Sequence, residues 1–266
     1  MSGAAPAPPP LFISFEGIDG SGKSTQARAL AVHLRQQGRD VVLTREPGGS
    51  PGAEAIRTLV LTGEPGRWSA ETEILLFTAS RRDHLERTIR PALAAGRAVI
   101  TDRFADSTRI YQGATRGDLR AMVDRLHDLM IGVEPDLTFV IDMDPRVALG
   151  RSLGRLSASK AGRAAAMAPG AAGTQGEAEV AGDAVDAAQA AANAHSLASA
   201  AGSIAAGDMP EDRFESFGPL FQQTLRAGFL QLAQDFAHRC VVIDGNRDPV
   251  AVAADIAARL AARTPR

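Results

Sequence analysis

The sequence predicts an α/β protein in which a five-stranded parallel sheet lies between two layers of helices. Short apolar segments alternate with longer segments of helical periodicity, and the apolar segments are hydrophobic along their whole length. A glycine-rich loop connects the first strand to the first helix. Strands that are apolar on both faces are typical of a parallel sheet covered by helices on both sides.

The elements follow one another in a regular order. The predicted strands are 11–15, 40–44, 98–101, 137–141 and 241–243, and the predicted helices are 24–37, 70–95, 119–131 and 249–263. Gly38 and Gly96 follow two of these helices, and glycine commonly ends a helix. The first two strands and the helix between them therefore predict a βαβ unit.

The composition excludes several classes of protein. The chain has 266 residues, of which 45% are hydrophobic, so it can bury a core without disulfides. Its single cysteine, Cys240, cannot form an internal disulfide, which favours a reducing, cytoplasmic compartment. The net charge of -2 provides no basic field for nucleic acid or a membrane surface. We expect neither as a partner.

The predicted domain spans residues 11–266, and two segments differ from the rest of the chain in composition. Residues 1–10 lack the basic and apolar regions of a signal peptide and are predicted to be a disordered tail. Residues 161–208 are rich in alanine and glycine and contain few large apolar residues, which predicts a flexible or weakly helical surface insertion. Within it, 183–200 could form a helix on propensity alone. No apolar run approaches the about 20 residues of a membrane span.

A phosphate-binding loop is predicted at 17–24, where GIDGSGKS fits the pattern G-x-x-x-x-G-K-[ST] between a strand and a helix. Lys23 should reach the β- and γ-phosphates, and Ser24 should place its hydroxyl on Mg²⁺. The predicted ATP-binding residues are Gly17, Ile18, Asp19, Gly20, Ser21, Gly22, Lys23, Ser24 and Thr25. The motif alone does not choose among a kinase, a GTPase and an ATP-driven motor.

Charged residues near strand ends favour a kinase. Asp102 follows a buried strand and could hold Mg²⁺ through water, or it could cap the next helix. A kinase must neutralise two anionic substrates. Arginines near strand ends or helix starts are Arg45, Arg81, Arg103, Arg151, Arg155 and Arg213. A guanine-reading N-K-x-D motif is not present, which argues against a GTPase.

Six segments resemble the thymidylate kinase family, a group of P-loop nucleoside monophosphate kinases. They are FEGIDGSGKSTQ at 15–26, TREPGGSPGAEAIR at 44–57, LLFTASRRDH at 75–84, DRFADSTRIYQG at 102–113, PDLTFVIDMDP at 135–145 and DRFE at 212–215. The resemblance covers nearly the whole chain. The second and fourth segments are specific to this family within the nucleoside monophosphate kinases.

The resemblance implies a role for each residue of a dTMP site. Asp19 would accept a hydrogen bond from the 3′-hydroxyl, and Arg103 would clamp the phosphate beside Asp102. Phe77 would pack against the thymine ring, and Arg81 would meet thymine O4 or the phosphate. The remaining members of the implied substrate site are Ser107, Thr108, Tyr111 and Gln112.

Within this group, Ser107 and Thr108 would face the polar edge of the base. They could instead be ordinary helix-capping hydroxyls. Tyr111 would lie against the 2′ carbon and exclude a ribose hydroxyl.

The resemblance also implies a mobile lid at about 151–215. Gly20 stands where some members, including the eukaryotic type, carry an arginine, so the chain resembles the bacterial type whose lid delivers the catalytic arginine. Arg151 and Arg155 match the start of that lid and Asp212–Arg213 its end. The insertion at 161–208 falls between the two. The implied catalytic residues are Lys23, Asp102, Arg103, Arg151 and Arg155.

The expected reaction is therefore ATP + dTMP → ADP + dTDP with Mg²⁺, without a covalent intermediate, and the family resemblance implies a homodimer. Two alternatives are a kinase for another pyrimidine nucleotide or a deoxynucleoside, and a non-catalytic ATP-binding switch. A nucleoside would not need Arg103 as a phosphate clamp, and the intact Lys23, Ser24 and Asp102 argue against a switch.

Overall fold

A computed structural model describes residues 9–64, 66–114, 117–152, 154 and 218–263. Its sheet has five parallel strands in the order β2-β3-β1-β4-β5. The strands are β1 (Leu11–Glu16), β2 (Val41–Arg45), β3 (Ala98–Asp102), β4 (Leu137–Asp142) and β5 (Cys240–Asp244). The predicted fold class is confirmed, and every predicted strand is found with small shifts at its ends.

Helices cover both faces of the sheet. They are α1 (Lys23–Gln36), α2 (Pro51–Leu61), α3 (Ala70–His84), α4 (Arg90–Ala94), α5 (Ala105–Thr108), α6 (Arg120–Met130), α7 (Gly218–Asp235) and α8 (Pro249–Arg263). A segment at 145–152 is also helical. A π-helical turn at Leu85–Ile89 joins α3 to α4, so the predicted helix 70–95 is one continuous helix with a widened turn.

The core forms separate layers on the two faces of the sheet. Ile13 and Phe15 of β1 face α1 and α8, whereas Phe12 faces Leu85 and Ile89. Successive side chains of a strand point to opposite faces, so a strand buried on both sides must be apolar throughout. This explains why the strands could be predicted from continuous apolar runs.

The register of the strands sets the position of the polar residues. Phe15 of β1 and Arg45 of β2 both pair with Asp102 of β3, so these strands end at one level. The carboxyl ends of parallel strands form one edge, and the loops that follow them line the usual ligand site of an open α/β sheet.

Several predictions fall outside the described residues. These are the tail at 1–8, Arg155, the insertion 161–208 with the helix 183–200, and the end of the lid with Asp212 and Arg213. That residues 11–266 form one domain stays a prediction. Within the part of the chain that the structure describes, no helix is both long and apolar enough to cross a membrane.

Candidate active site

A cavity of about 490 Å³ lies at the carboxyl edge of the sheet, and it brings the two predicted sites together. From the predicted phosphate loop it is lined by Asp19, Gly20, Gly22, Lys23, Ser24 and Thr25. From the predicted catalytic and dTMP sites it is lined by Phe77, Arg81, Asp102, Arg103, Ser107, Thr108, Tyr111 and Gln112. Its walls also contain residues to which the sequence assigned no site role, among them Arg28, Glu46, Arg57 and Phe104.

The phosphate loop turns tightly against the helical segment 145–152. Gly20 has a left-handed backbone with φ of 84°, and a Cβ at this position would lie 1.9 Å from the carbonyl oxygen of Ala148. A side chain at this position would displace the backbone around Ala148. The local packing therefore excludes an arginine at position 20, which agrees with the bacterial type of loop inferred from the sequence.

Lys23 begins α1 and is buried beneath the loop. Its Nζ donates a hydrogen bond of 2.8 Å to the carbonyl oxygen of Ile18 and lies 3.9 Å from Asp19 Oδ1. Burial, together with the nearby Arg103 guanidinium, lowers the pKa of Lys23 to about 8, although neighbouring carboxylates oppose the shift. The amine is thus held across the concave side of the loop, where phosphate oxygens bind in loops of this kind.

Ser24 and Asp102 form a pair of oxygen groups beside Lys23. The hydroxyl of Ser24, in the first turn of α1, donates a hydrogen bond to Asp102 Oδ2 at the end of β3. The other carboxylate oxygen, Oδ1, is buried without a hydrogen-bond partner among the described residues. A buried carboxylate oxygen without a partner next to a hydroxyl fits the oxygen ligands that Mg²⁺ prefers.

Arg103 contacts several of the residues predicted for the dTMP site. Its backbone is left-handed, with φ of 73°, which is uncommon for a residue with a side chain. Its guanidinium donates to Asp19 Oδ1, to Ser107 Oγ at 2.8 Å and to the Tyr111 hydroxyl at 3.3 Å, and it lies over the Tyr111 ring at 5.0 Å. The arginine therefore reaches from the phosphate loop to the turn that follows α5.

Asp19 joins this cluster from the phosphate loop. Tyr111 donates a hydrogen bond of 2.9 Å from its hydroxyl to Asp19 Oδ2. Burial acts to raise the pKa of Asp19, but Arg103, Lys23 and the Tyr111 hydroxyl outweigh it and lower that pKa to about 2. Burial raises the pKa of Tyr111 well above its usual range, so its hydroxyl remains a neutral donor.

Arg81 and Phe77 lie one helical turn apart on α3. Arg81 is buried and donates to Glu46 Oε2 at 2.8 Å, and its Nη2 donates to the hydroxyl of Thr108 at 3.0 Å. Glu46 also bonds His84 Nδ1 at 2.9 Å. Arg81 is therefore fixed by a carboxylate of the TREPGG segment, and half-buried Phe77 provides an apolar wall beside it.

Other predicted site residues make contacts within the protein. The hydroxyl of Ser107 is engaged by Glu16 and Arg103, and that of Thr108 accepts from Arg81, so both serve contacts within the protein. Gln112 is buried and donates to Glu73 at 3.3 Å. Arg151 is exposed, contacts the Met143 sulfur at 3.4 Å and does not line the cavity.

Two buried carboxylates near the site were missed by the sequence analysis. Glu16 ends β1, and burial together with Asp106 raises its pKa to about 7 against the opposing effect of Arg103 and two hydrogen bonds. Glu46 follows β2. The position at the carboxyl end of a predicted strand, which pointed to Asp102, could have pointed to both.

A phosphate loop, a carboxylate–hydroxyl pair and an arginine-rich pocket in one cavity define a P-loop kinase of a small phosphorylated substrate. The family model for thymidylate kinase matches residues 15–163. The thymidylate kinase of Dinoroseobacter shibae is 58% identical over 252 residues, covering 95% of this chain and 97% of that protein. The thymidylate kinase of Ruegeria pomeroyi is 58% identical over 246 residues, covering 92% of each.

A solved structure agrees with these relatives. The crystal structure of thymidylate kinase from Ehrlichia chaffeensis is similar to this chain with a TM-score of 0.62 and 30% identity, over 95% of this chain and 99% of that one. The chain belongs to the thymidylate kinase family.

Proposed function

We propose that this protein transfers the γ-phosphoryl group of ATP to dTMP, giving ADP and dTDP. The observation that carries this proposal is the position of Arg103 between the phosphate loop and Tyr111 in a single cavity. Because phosphoryl transfer depends on holding two phosphates in line and on neutralising their charge, an arginine at this junction is placed to serve the reaction.

The donor side is formed by the phosphate loop and the first turn of α1. The loop N–H groups and the helix N-terminus would hold the ATP phosphates, and Lys23 would neutralise the β- and γ-phosphates. Ser24 and Asp102, which are hydrogen-bonded to each other, would hold Mg²⁺. The ion would supply positive charge to the phosphate oxygens when bound.

We propose one direct and one water-mediated contact between the protein and Mg²⁺. Ser24 would bind Mg²⁺ directly through its hydroxyl, and Asp102 would bind it through water by way of the buried Oδ1 that has no partner among the described residues. Both groups lie beside Lys23 in the cavity, so the ion and the lysine would neutralise neighbouring phosphate oxygens.

The acceptor side is formed by α3, α5 and the turn that follows α5. Arg103 would bind the phosphate of dTMP, and Asp19 would accept a hydrogen bond from the 3′-hydroxyl. Tyr111 would lie against the 2′ carbon. Phe77 would pack against the thymine base, and Arg81 would contact thymine O4 or the phosphate. Gln112 would complete this pocket, with Ser107 and Thr108 supporting the two arginines through the hydrogen bonds described above.

The remaining elements of the proposal rest on family membership. Arg151 and Arg155 would approach the transferred phosphoryl group when the lid closes over both nucleotides. Arg151 is exposed near the end of the helical segment 145–152, where the chain enters the proposed lid. We further propose that the protein is a homodimer and acts in the cytoplasm as one domain spanning residues 11–266.

An ADP-release assay tests the proposed function. Purified protein is given ATP and Mg²⁺ with dTMP, dUMP, dCMP, dAMP or thymidine as acceptor. We expect dTMP to be the best acceptor and thymidine to give no turnover, since Arg103 would have no phosphate to bind. Preferred turnover of thymidine would indicate a deoxynucleoside kinase, and ATP binding without any turnover would indicate a switch protein.

A further inference from the structure

Glu16 is a buried carboxylate to which the proposed reaction gives no role. It lies at the carboxyl end of β1, its side chain is 0% exposed, and it does not line the cavity. Burying a charged group is costly unless the group is hydrogen-bonded or paired. The partners of Glu16 therefore indicate what it does.

Both hydrogen-bond partners of Glu16 belong to the segment that follows β3. The N–H of Phe104 donates to Oε1 at 2.7 Å, and the hydroxyl of Ser107 donates to Oε2 at 2.6 Å. These partners lie 88 and 91 residues further along the chain. One carboxylate thus ties the end of β1 to the segment that carries Arg103.

The hydrogen bond from the Phe104 N–H to Glu16 holds the backbone immediately after Arg103. The N–H of Arg103 donates to the Phe15 carbonyl at 2.9 Å, and its carbonyl accepts from the Thr101 hydroxyl at 2.8 Å. Glu16 then holds the next N–H, that of Phe104. A left-handed residue with a side chain persists only where its surroundings fix it, and these bonds fix Arg103.

The second bond sets the direction of the Arg103 side chain. A serine hydroxyl can donate one hydrogen bond, and Ser107 donates it to Glu16, so its oxygen is left to accept from Arg103 Nη1 at 2.8 Å. Without the carboxylate, the Ser107 proton could turn toward the guanidinium and oppose this contact. Glu16 therefore acts on both the backbone and the side chain of Arg103.

We propose that Glu16 is a positioning residue for the acceptor nucleotide, which holds Arg103 in the geometry that clamps the dTMP phosphate without touching either nucleotide itself. This inference rests on the proposed function, because it takes the dTMP phosphate as the group that Arg103 binds. It follows that loss of Glu16 weakens use of dTMP much more than use of ATP.

The substitution Glu16→Gln tests this role with almost no change in shape. Its amide nitrogen must face either the Phe104 N–H or the Ser107 hydroxyl, so one of the two accepting contacts is lost. We expect KM for dTMP to rise about tenfold or more, as for hydrogen bonds to charged groups, while KM for ATP changes by less than about twofold.

A control with the same chemistry contacts the other end of β1. The carboxylate of Asp136 accepts the N–H of Phe12 of β1 at 2.7 Å, on the edge of the sheet away from the cavity. Asp136→Asn makes the same chemical change there, and we expect it to leave both KM values unchanged. A rise in both KM values for Glu16→Gln, matched in size, would overturn the positioning role.

A double-mutant cycle with Ser107→Ala tests independently whether Glu16 acts on Arg103 through Ser107. If it does, the losses in kcat/KM for dTMP are less than additive in the double variant. Strictly additive losses would show that Glu16 does not act through Ser107. Should Glu16→Gln fail to fold, Ser107→Ala alone decides: KM for dTMP must rise with KM for ATP unchanged, and an unchanged KM for dTMP overturns the inference. Wild-type protein that does not phosphorylate dTMP would instead overturn the proposed function.

Discussion

Tyr111 donates a hydrogen bond of 2.9 Å to Asp19, so the turn that follows α5 and the phosphate loop are directly connected. The Tyr111 ring is also fixed edge-on against Phe221 and Phe229 of α7, with centroids 6.4 and 6.2 Å away. The ring is therefore held through its hydroxyl and through these aromatic contacts. This geometry supports the proposal that Tyr111 discriminates between deoxyribose and ribose.

Substitutions of Tyr111 should separate the wall from the hydroxyl. Tyr111→Phe keeps the ring and should stay selective for dTMP over its ribose analogue, whereas Tyr111→Ala should narrow the ratio of the two kcat/KM values. Because the alanine variant also loses buried contacts, it should be destabilised by about 3–5 kcal/mol, which thermal unfolding checks. An unchanged ratio in a folded Tyr111→Ala protein would mean that another group excludes the ribose hydroxyl.

Position 20 should not tolerate even the single side-chain carbon of alanine. Gly20→Ala places its Cβ 1.9 Å from the Ala148 carbonyl oxygen and also forces a left-handed alanine, so we expect lower stability and lower kcat. Gly38 is the matched control, because it has φ of 80° and no atom within 4 Å of its Cβ position. Gly38→Ala should cost only the backbone term of about 1–2 kcal/mol and leave kcat unchanged. Equal effects of the two substitutions would contradict the close approach of Gly20 to Ala148.

The apolar wall at Phe77 should give a limited preference for the thymine methyl group. One methyl in an apolar pocket contributes about 1–3 kcal/mol, so kcat/KM should favour dTMP over dUMP by roughly 10- to 200-fold. Phe77→Ala should reduce that ratio while Arg81, which is held by Glu46, stays in place. Comparable kcat/KM values for dAMP and dTMP in the wild type would move the substrate assignment away from thymidylate.

Asp19 should make the fold sensitive to acid. Its pKa is lowered from 3.8 to about 2, so its ionised form contributes stability above pH 3.8 that is lost as the pH falls toward 2. Asp19→Asn should therefore lower the melting temperature more at pH 6 than at pH 3. The same difference in melting temperature at both pH values would show that ionised Asp19 is not stabilised by Arg103.

The regular elements could be predicted because their signals are local. Buried parallel strands are apolar along their length, and α8 follows a clear helical periodicity. Helix α2 was not predicted, because its segment begins with Pro51 and Gly52, which are typical of turns. The short α5 was missed because four residues give little periodicity, and its end merges into a π-helical turn.

The site could be predicted only in part. The phosphate loop and Asp102 have local signatures, so their positions at one edge of the sheet followed from the sequence. Glu16 was missed because its role depends on the Phe104 N–H and the Ser107 hydroxyl, which are distant in the chain. The internal contacts of Ser107 and Thr108 were missed for the same reason, since no sequence pattern shows where a hydroxyl points.

The central claim is that Arg103 binds the phosphate of dTMP, whereas Lys23 neutralises the phosphates of ATP. Direct measurement of dTDP formed from ATP and dTMP, for the wild type, Arg103→Ala and Lys23→Ala, tests it most closely. We predict that the wild type forms dTDP and that each variant loses about two to three orders of magnitude in kcat/KM, with affinity for dTMP lost only in Arg103→Ala. Near-normal dTDP formation by folded Arg103→Ala protein, or no dTDP from the wild type, would contradict the account.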